Sequence, residues 1–161
     1  MDAKAPNSAN ASRELVIRRT FNAPRALVFR AWTEPQLLAQ WSCPRGFTFS
    51  ENRGELRVGG AFFARMRSPE GTEHRLQGVY REIIPPERLV FSHCWVDERG
   101  TPGPETLVTV TLSERDGRTE MSFHQGIFAS VQERDGHAQG WGSCFERLGE
   151  LLERSRREAA A

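Results

Sequence analysis

The sequence predicts an α+β fold in which one long C-terminal amphipathic helix lies across an antiparallel sheet of about six to seven strands. Three observations carry this expectation. A capping box, Ser130-Val131-Gln132-Glu133, opens a segment in which Ala138, Trp141, Phe145, Leu148 and Leu152 recur at spacings of three and four. From Phe47 onward, strand-like segments follow one another with turn residues between them. Ahead of these, a first strand-like segment is followed by two short helical ones.

Glu14 to Phe21 carries β-branched and aromatic residues in near alternation and reads as the first strand, stopped by Asn22-Ala23-Pro24. Pro24 suits the first turn of a helix through Leu27, Val28, Ala31 and Trp32, because its missing N–H costs nothing there. Thr33-Glu34-Pro35-Gln36 has the form of a second capping start and predicts a short helix from Pro35 to about Gln40.

The later strands are expected at 47–51, 61–68, 73–84, 88–96, 106–113 and 119–125. Gly59-Gly60, Pro69-Glu70-Gly71, Pro85-Pro86, the Gly100 to Pro104 stretch and Asp116-Gly117 supply the turns. Phe62, Ala64 and Met66 share one face while Arg65 and Arg67 take the other, so one face of the sheet is buried and one meets water. Val108, Val110 and Leu112 repeat the alternation, as do Met121 and Phe123.

On the final helix the charged residues Glu146, Arg147, Glu150, Glu153 and Arg154 lie away from the apolar stripe, with Glu150 and Arg154 placed for an i,i+4 pair. Gly136, Gly140, Gly142 and Gly149 interrupt it, each costing about 1 kcal/mol relative to alanine. Either the helix approaches the sheet closely at these glycines, or small residues leave space beneath it for a ligand. Arg134 falls on the apolar face; either it snorkels past the sheet edge, or the helix begins later, at Asp135-Gly136, or it sits at a cavity mouth to pair with a ligand carboxylate or phosphate.

The 161 residues suit a single domain over 13–155, between a disordered tail at 1–12 and a frayed end at 156–161. With 22 basic and 21 acidic residues the net charge is +1, so no bulk field recruits nucleic acid or anionic lipid. No apolar run reaches a membrane span and the N-terminus lacks the apolar stretch of a signal peptide, so a cytoplasmic location with no membrane partner is expected. The three cysteines are widely spaced and form no metal or redox motif. Cys94 and Cys144 are expected buried, and Cys43, in a Pro/Gly loop, is the one expected to react. No metal constellation, phosphate loop, dinucleotide fingerprint or nucleophile motif is present, and no cofactor is expected.

Ala31-Trp32-Thr33-Glu34-Pro35, Trp41 with Pro44 and Gly46-Phe47, Gly59-Gly60, Gly78-Val79-Tyr80, Pro85-Pro86-Glu87-Arg88-Leu89, and His137 with Gly140-Trp141 form an ordered pattern. In it the chain resembles the stand-alone bacterial members of the activator of heat-shock-protein-90 ATPase homologue family, of the SRPBCC (START-like) superfamily, over about residues 14–154. The resemblance implies the helix-grip fold with a cavity between the long helix and the sheet, where superfamily members bind lipids, sterols, polyketides or other apolar molecules. Stimulation of a chaperone ATPase belongs to longer members with a further N-terminal domain, for which this length is expected to leave no room. Ser42-Cys43 departs from the aromatic residue and glycine usual in the family at the cavity mouth.

By alternation and helical phase, the residues expected to line such a cavity are Trp41, Phe62, Met66, Phe91, Trp95, Phe123, Trp141 and Phe145, with His93 and Arg134 as its polar members. The leading expectation is a binding protein for an apolar small molecule. Two alternatives accompany it: a co-chaperone-like module with a protein partner, and a cyclase- or hydrolase-type enzyme using His93 or His124 as base and Arg134 as anion site.

Overall fold

A computed structural model describes residues 12–160. The chain runs β1 (Leu15–Phe21), α1 (Arg25–Thr33), α2 (Pro35–Trp41), β2 (Thr48–Gly54), β3 (Ala61–Arg67), β4 (Glu73–Ile84), β5 (Arg88–Val96), β6 (Thr106–Arg115), β7 (Arg118–Gly126) and α3 (Val131–Ala160). Seven strands form one antiparallel sheet in the order β1-β7-β6-β5-β4-β3-β2. The meander runs from β2 to β7 and β1 adds to the outer edge of β7, which leaves β1 and β2 as the two edges of an open sheet. Together with the two short helices and the long α3, this is the helix-grip arrangement.

The alternating strands behave as their patterns require. In β6, Val108, Val110 and Leu112 are buried between exposed neighbours, and in β7 Met121 and Phe123 do the same. Val110 faces Phe123 across the ladder and Leu112 faces Met121, so both strands place their apolar sets on the same side. That side is covered by α3 through Phe145, Leu148, Leu151 and Leu152, and by α1 through Val28, Ala31 and Trp32.

Both short helices start differently from their expected capping. α1 begins at Arg25 with Pro24 as its N-cap, and α2 has Glu34 as N-cap without a side-chain bond, with Pro35 just inside. Thr33 does not cap α2, because its hydroxyl donates back to the Phe29 carbonyl at 2.9 Å. At α3 the Glu133 N–H donates to Ser130 Oγ at 3.1 Å, so the expected start is where the helix begins.

The end of α3 lies beyond the apolar stripe. The helix continues through 156–160, where a frayed tail was expected, because Arg, Glu and Ala are strong helix formers even without an apolar face to bury. The tail expected at 1–12 lies, apart from Ser12, outside the described residues. Glu150 does not pair with Arg154; it reaches across to Arg45 at 3.0 Å on the loop after α2. Among the described residues, no helix is long and apolar enough to cross a membrane.

Candidate functional site

The two halves of α3 meet the sheet differently. Its C-terminal half buries Phe145, Leu148, Leu151 and Leu152 in the core, whereas beneath its N-terminal half, over β3, β4 and β5, lies an apolar cleft of about 650 Å³. The floor is built by period-two alternation: Phe62, Ala64 and Met66 from β3, Leu76 and Tyr80 from β4, and Phe91, His93 and Trp95 from β5. The roof is one helical face, Glu133, Gly136, His137, Gly140, Trp141 and Cys144. Trp32, Leu38, Ser42 and Pro44 close one side, and Phe47 and Phe49 the other.

Register explains why the floor is aromatic yet recessed. Phe62 pairs with Gly78, and a Cβ at Gly78 would lie 1.9 Å from the Ser92 carbonyl oxygen and 2.4 Å from Phe62 Cζ. Only glycine lets the Phe62 ring lie flat across β4 there. The ring then meets Tyr80 at 5.4 Å and Phe91 edge-on at 5.5 Å.

The roof glycines, in contrast, are not demanded by close approach. A Cβ on Gly136 or Gly142 would meet nothing within 4 Å, and those on Gly140 and Gly149 would make ordinary contacts at 3.8 Å with Pro44 and Phe21. Of the two readings of these glycines, close approach of helix to sheet therefore fails. Gly136 and Gly140 instead bound open space.

Six of the ten residues expected at a cavity line the cleft: Phe62, Met66, Phe91, His93, Trp95 and Trp141. Trp41, Phe123 and Phe145 stand behind the cleft wall in a fully buried aromatic cluster centred on Trp32, whose ring lies 4.7 Å from Trp41 and 6.2 Å from Phe123. Arg134 does not border the cleft; its guanidinium leans outward to Asp135 at 2.8 Å, with Nε left buried and unpaired. His124 lies on the outer face of β7 beside Glu14 at 3.5 Å, so it cannot serve chemistry in the cleft.

Polar groups gather at one end of the otherwise apolar space. Trp95 Nε1 donates to His137 Nε2 at 2.9 Å, which leaves His137 Nδ1 to carry the proton and donate to the Glu133 carbonyl at 2.9 Å. The His93 ring packs edge-on against Trp95 at 5.2 Å and against His137 at 5.9 Å. Burial, with a smaller push from His137, holds the His93 pKa down at about 3 against an ordinary 6.5. His93 is therefore neutral at pH 7. Among the described residues its ring nitrogens have no protein hydrogen-bond partner, nor does the Tyr80 hydroxyl.

A chain of buried hydrogen bonds fixes the roof to the floor. Trp141 Nε1 donates to Gln125 Oε1 at 2.8 Å, Gln125 Nε2 donates to Thr106 Oγ1 at 2.9 Å, and Thr106 Oγ1 donates to the His93 carbonyl at 3.3 Å. Gln125 is fully buried, on the same face of β7 as Met121 and Phe123. Alternation alone marked that position as inward. His137 was equally accessible to sequence reasoning, since it precedes Trp141 by one helical turn and must share its face.

The loop after α2 is pinned, and the thiol in it is buried. Arg147 Nη1 donates to the Cys43 carbonyl at 2.7 Å and Nη2 to the Gln40 carbonyl at 2.9 Å, while the Arg45 N–H donates to Ser143 Oγ at 2.9 Å. Cys43 is buried under these bonds, and burial raises its thiol pKa, with Arg147 opposing in part. The expectation of a reactive Cys43 is thus overturned: its side chain turns into the protein from a loop whose composition suggested exposure. Cys94 and Cys144 are buried as expected, and burial pushes the Cys144 thiol up to about 12. Among the described residues no group of His, Cys, Asp or Glu is placed to hold a metal ion.

A family model described as Activator of Hsp90 ATPase homolog 1-like protein matches residues 22–153. Among solved structures, a protein from Rhodobacter sphaeroides is 30% identical, covering 89% of this chain and 94% of its own, with a TM-score of 0.75. One from Chromobacterium violaceum is 28% identical, covering 88% and 97%, with a TM-score of 0.80. A third, from Nitrosomonas europaea, is 27% identical, covering 91% and 98%, with a TM-score of 0.77. No curated protein matches the chain.

Proposed function

We propose that this chain, which belongs to the activator of Hsp90 ATPase homolog 1-like family, is a binding protein that holds an apolar small molecule under the N-terminal half of α3. The observation that carries the reading is the pairing of that cleft with a helix roof of glycines that no neighbour requires. A helix selected for packing alone would carry larger residues at Gly136 and Gly140, because each glycine costs about 1 kcal/mol. The cleft volume lies within the roughly 300–1,000 Å³ range of small-molecule sites.

Catalysis in the same cleft has weaker support. A general base works best with a pKa near the operating pH, and His93, at about 3, is a poor proton acceptor with no carboxylate partner to raise its basicity. The residues that border the cleft favour retention of a molecule over its transformation.

The test is direct. Nile red added to the purified protein should show a blue-shifted, enhanced emission saturating at one molecule per chain, and native mass spectrometry of gently purified protein should show a displaceable small-molecule adduct. Absence of saturable dye binding at micromolar concentrations contradicts the reading.

A further inference from the structure

If the cleft holds an apolar molecule, its polar end constrains what that molecule carries. His93 is 6% exposed and borders the cleft, yet its ring has no hydrogen-bond partner among the described residues. Its nitrogens are not among the sealed, unpaired polar atoms of the interior, so in a mostly buried ring they are open to the cleft and free to bond an occupant. Tyr80, on the adjacent strand and also bordering the cleft, has a hydroxyl in the same condition. At this end Trp95 Nε1 is taken by His137 Nε2, and His137 Nδ1 by the Glu133 carbonyl; elsewhere on the lining, Trp32 Nε1 and Asn52 Nδ2 are unpaired but buried beneath the surface of the wall. His93 and Tyr80 are the unpaired groups whose polar atoms are not sealed within the wall, and so the ones placed to serve an occupant.

The carboxylates at this end speak against an anionic head group, and a cation would have to give up its water in an otherwise apolar space. Glu133, one turn before His137, is the charged residue that α3 contributes to the cleft lining, and it would repel an anion. Arg134 is turned outward to Asp135, and Arg53, across the cleft on β2, is paired with Glu51 at 3.2 Å and stacked over Phe63. A neutral imidazole offers one donor and one acceptor, which matches a hydroxyl or a carbonyl group.

The geometry points to an uncharged, largely apolar ligand bearing a hydroxyl or carbonyl oxygen that hydrogen-bonds to His93, its apolar body lying between Phe62, Met66 and Trp141. This rests on the cleft being a binding site, as proposed above, and adds the chemical class of what it binds.

The experiment uses three pyrenes of nearly equal size, methylpyrene, pyrenemethanol and pyrenecarboxylate, titrated by fluorescence into the full chain and into His93→Phe. The alcohol-to-methyl affinity ratio should fall roughly ten-fold in His93→Phe, the loss of one buried hydrogen bond. Pyrenecarboxylate should bind the unaltered protein at least about ten-fold more weakly than the alcohol. In the unaltered protein, the His93 imidazole nitrogen resonances should shift on adding pyrenemethanol and stay in place with methylpyrene, a readout independent of whether His93→Phe folds. An alcohol-to-methyl ratio unchanged by the substitution, unshifted His93 nitrogens, or carboxylate binding as tight as alcohol overturns this inference while leaving the cleft a binding site. Failure of all three pyrenes to bind overturns the binding reading itself, and this inference with it.

Discussion

One helix, α3, is built to two different specifications. From Phe145 onward it presents Phe145, Leu148, Leu151 and Leu152 to the core, all of them buried, with Gly149 in ordinary contact range of Phe21 on β1. From Glu133 to Cys144 the same face carries Gly136, His137, Gly140 and Trp141, and a cleft replaces the contact. The strands beneath differ in parallel. β6 and β7 send up aliphatic and aromatic side chains that fill the interface, whereas β3 and β4 set Ala64 and Gly78 among their aromatics and leave it open. The difference teaches that stability and site are segregated along a single element: one half anchors the helix so that the other half can stand away from the sheet.

That division is open to attack by like-for-like substitution. Leu148→Ala, in the packed half, should lower stability by about 2–5 kcal/mol, while Leu76→Ala in the cleft floor should cost less than half as much, since its side chain already borders empty space. Equal losses in chemical denaturation would erase the distinction between the halves.

Acid should act through the cleft half. His93 has its pKa depressed from 6.5 to about 3, so between those values the unfolded chain binds a proton that the folded chain does not. Its contribution is fully present above pH 6.5 and is lost as pH falls toward 3, on the order of a few kcal/mol at the lower limit. The pH dependence of the denaturation midpoint should be visibly flatter in His93→Phe; an unchanged slope means that the imidazole is not buried in neutral form.

The link between the halves is the Trp141–Gln125–Thr106 chain. Gln125→Leu should cost about 1–3 kcal/mol by leaving the indole N–H without an acceptor and removing the bond that Thr106 Oγ1 accepts, and it should also shift Trp141 fluorescence. The smallest effect has the opposite sign. Gly142→Ala should raise the stability by roughly 0.5–1 kcal/mol, because the added methyl meets nothing within 4 Å.

Most of the architecture was open to sequence reasoning because it is written in local periodicity. β3, β6 and β7 alternate cleanly, turn residues separate them, and Ser130 marks the start of α3 with its side chain. The end of α3 was not, since the apolar stripe stops at Leu152 while propensity carries the helix to Ala160. In the site, alternation placed Phe91, His93 and Trp95 on one face, and register then brought them under His137 and Trp141. Depth was not recoverable in this way. Periodicity assigns Trp41, Phe123 and Phe145 to the inward side, but whether an inward residue meets a neighbour or a void depends on side chains from distant strands. Cys43 is the same problem in reverse, for the bonds from Arg147 that bury it span more than a hundred residues of sequence.

The central claim, that the N-terminal half of α3 stands over a space that receives an apolar molecule, is tested most directly by one matched pair. Gly140 borders the cleft and Gly142, two positions along the same helix, does not. Nile red binding should fall at least about ten-fold in Gly140→Leu, where the new side chain enters the cleft, and remain within about two-fold of the unaltered protein in Gly142→Leu. Equal binding by both variants, or a greater loss in Gly142→Leu, would contradict the account.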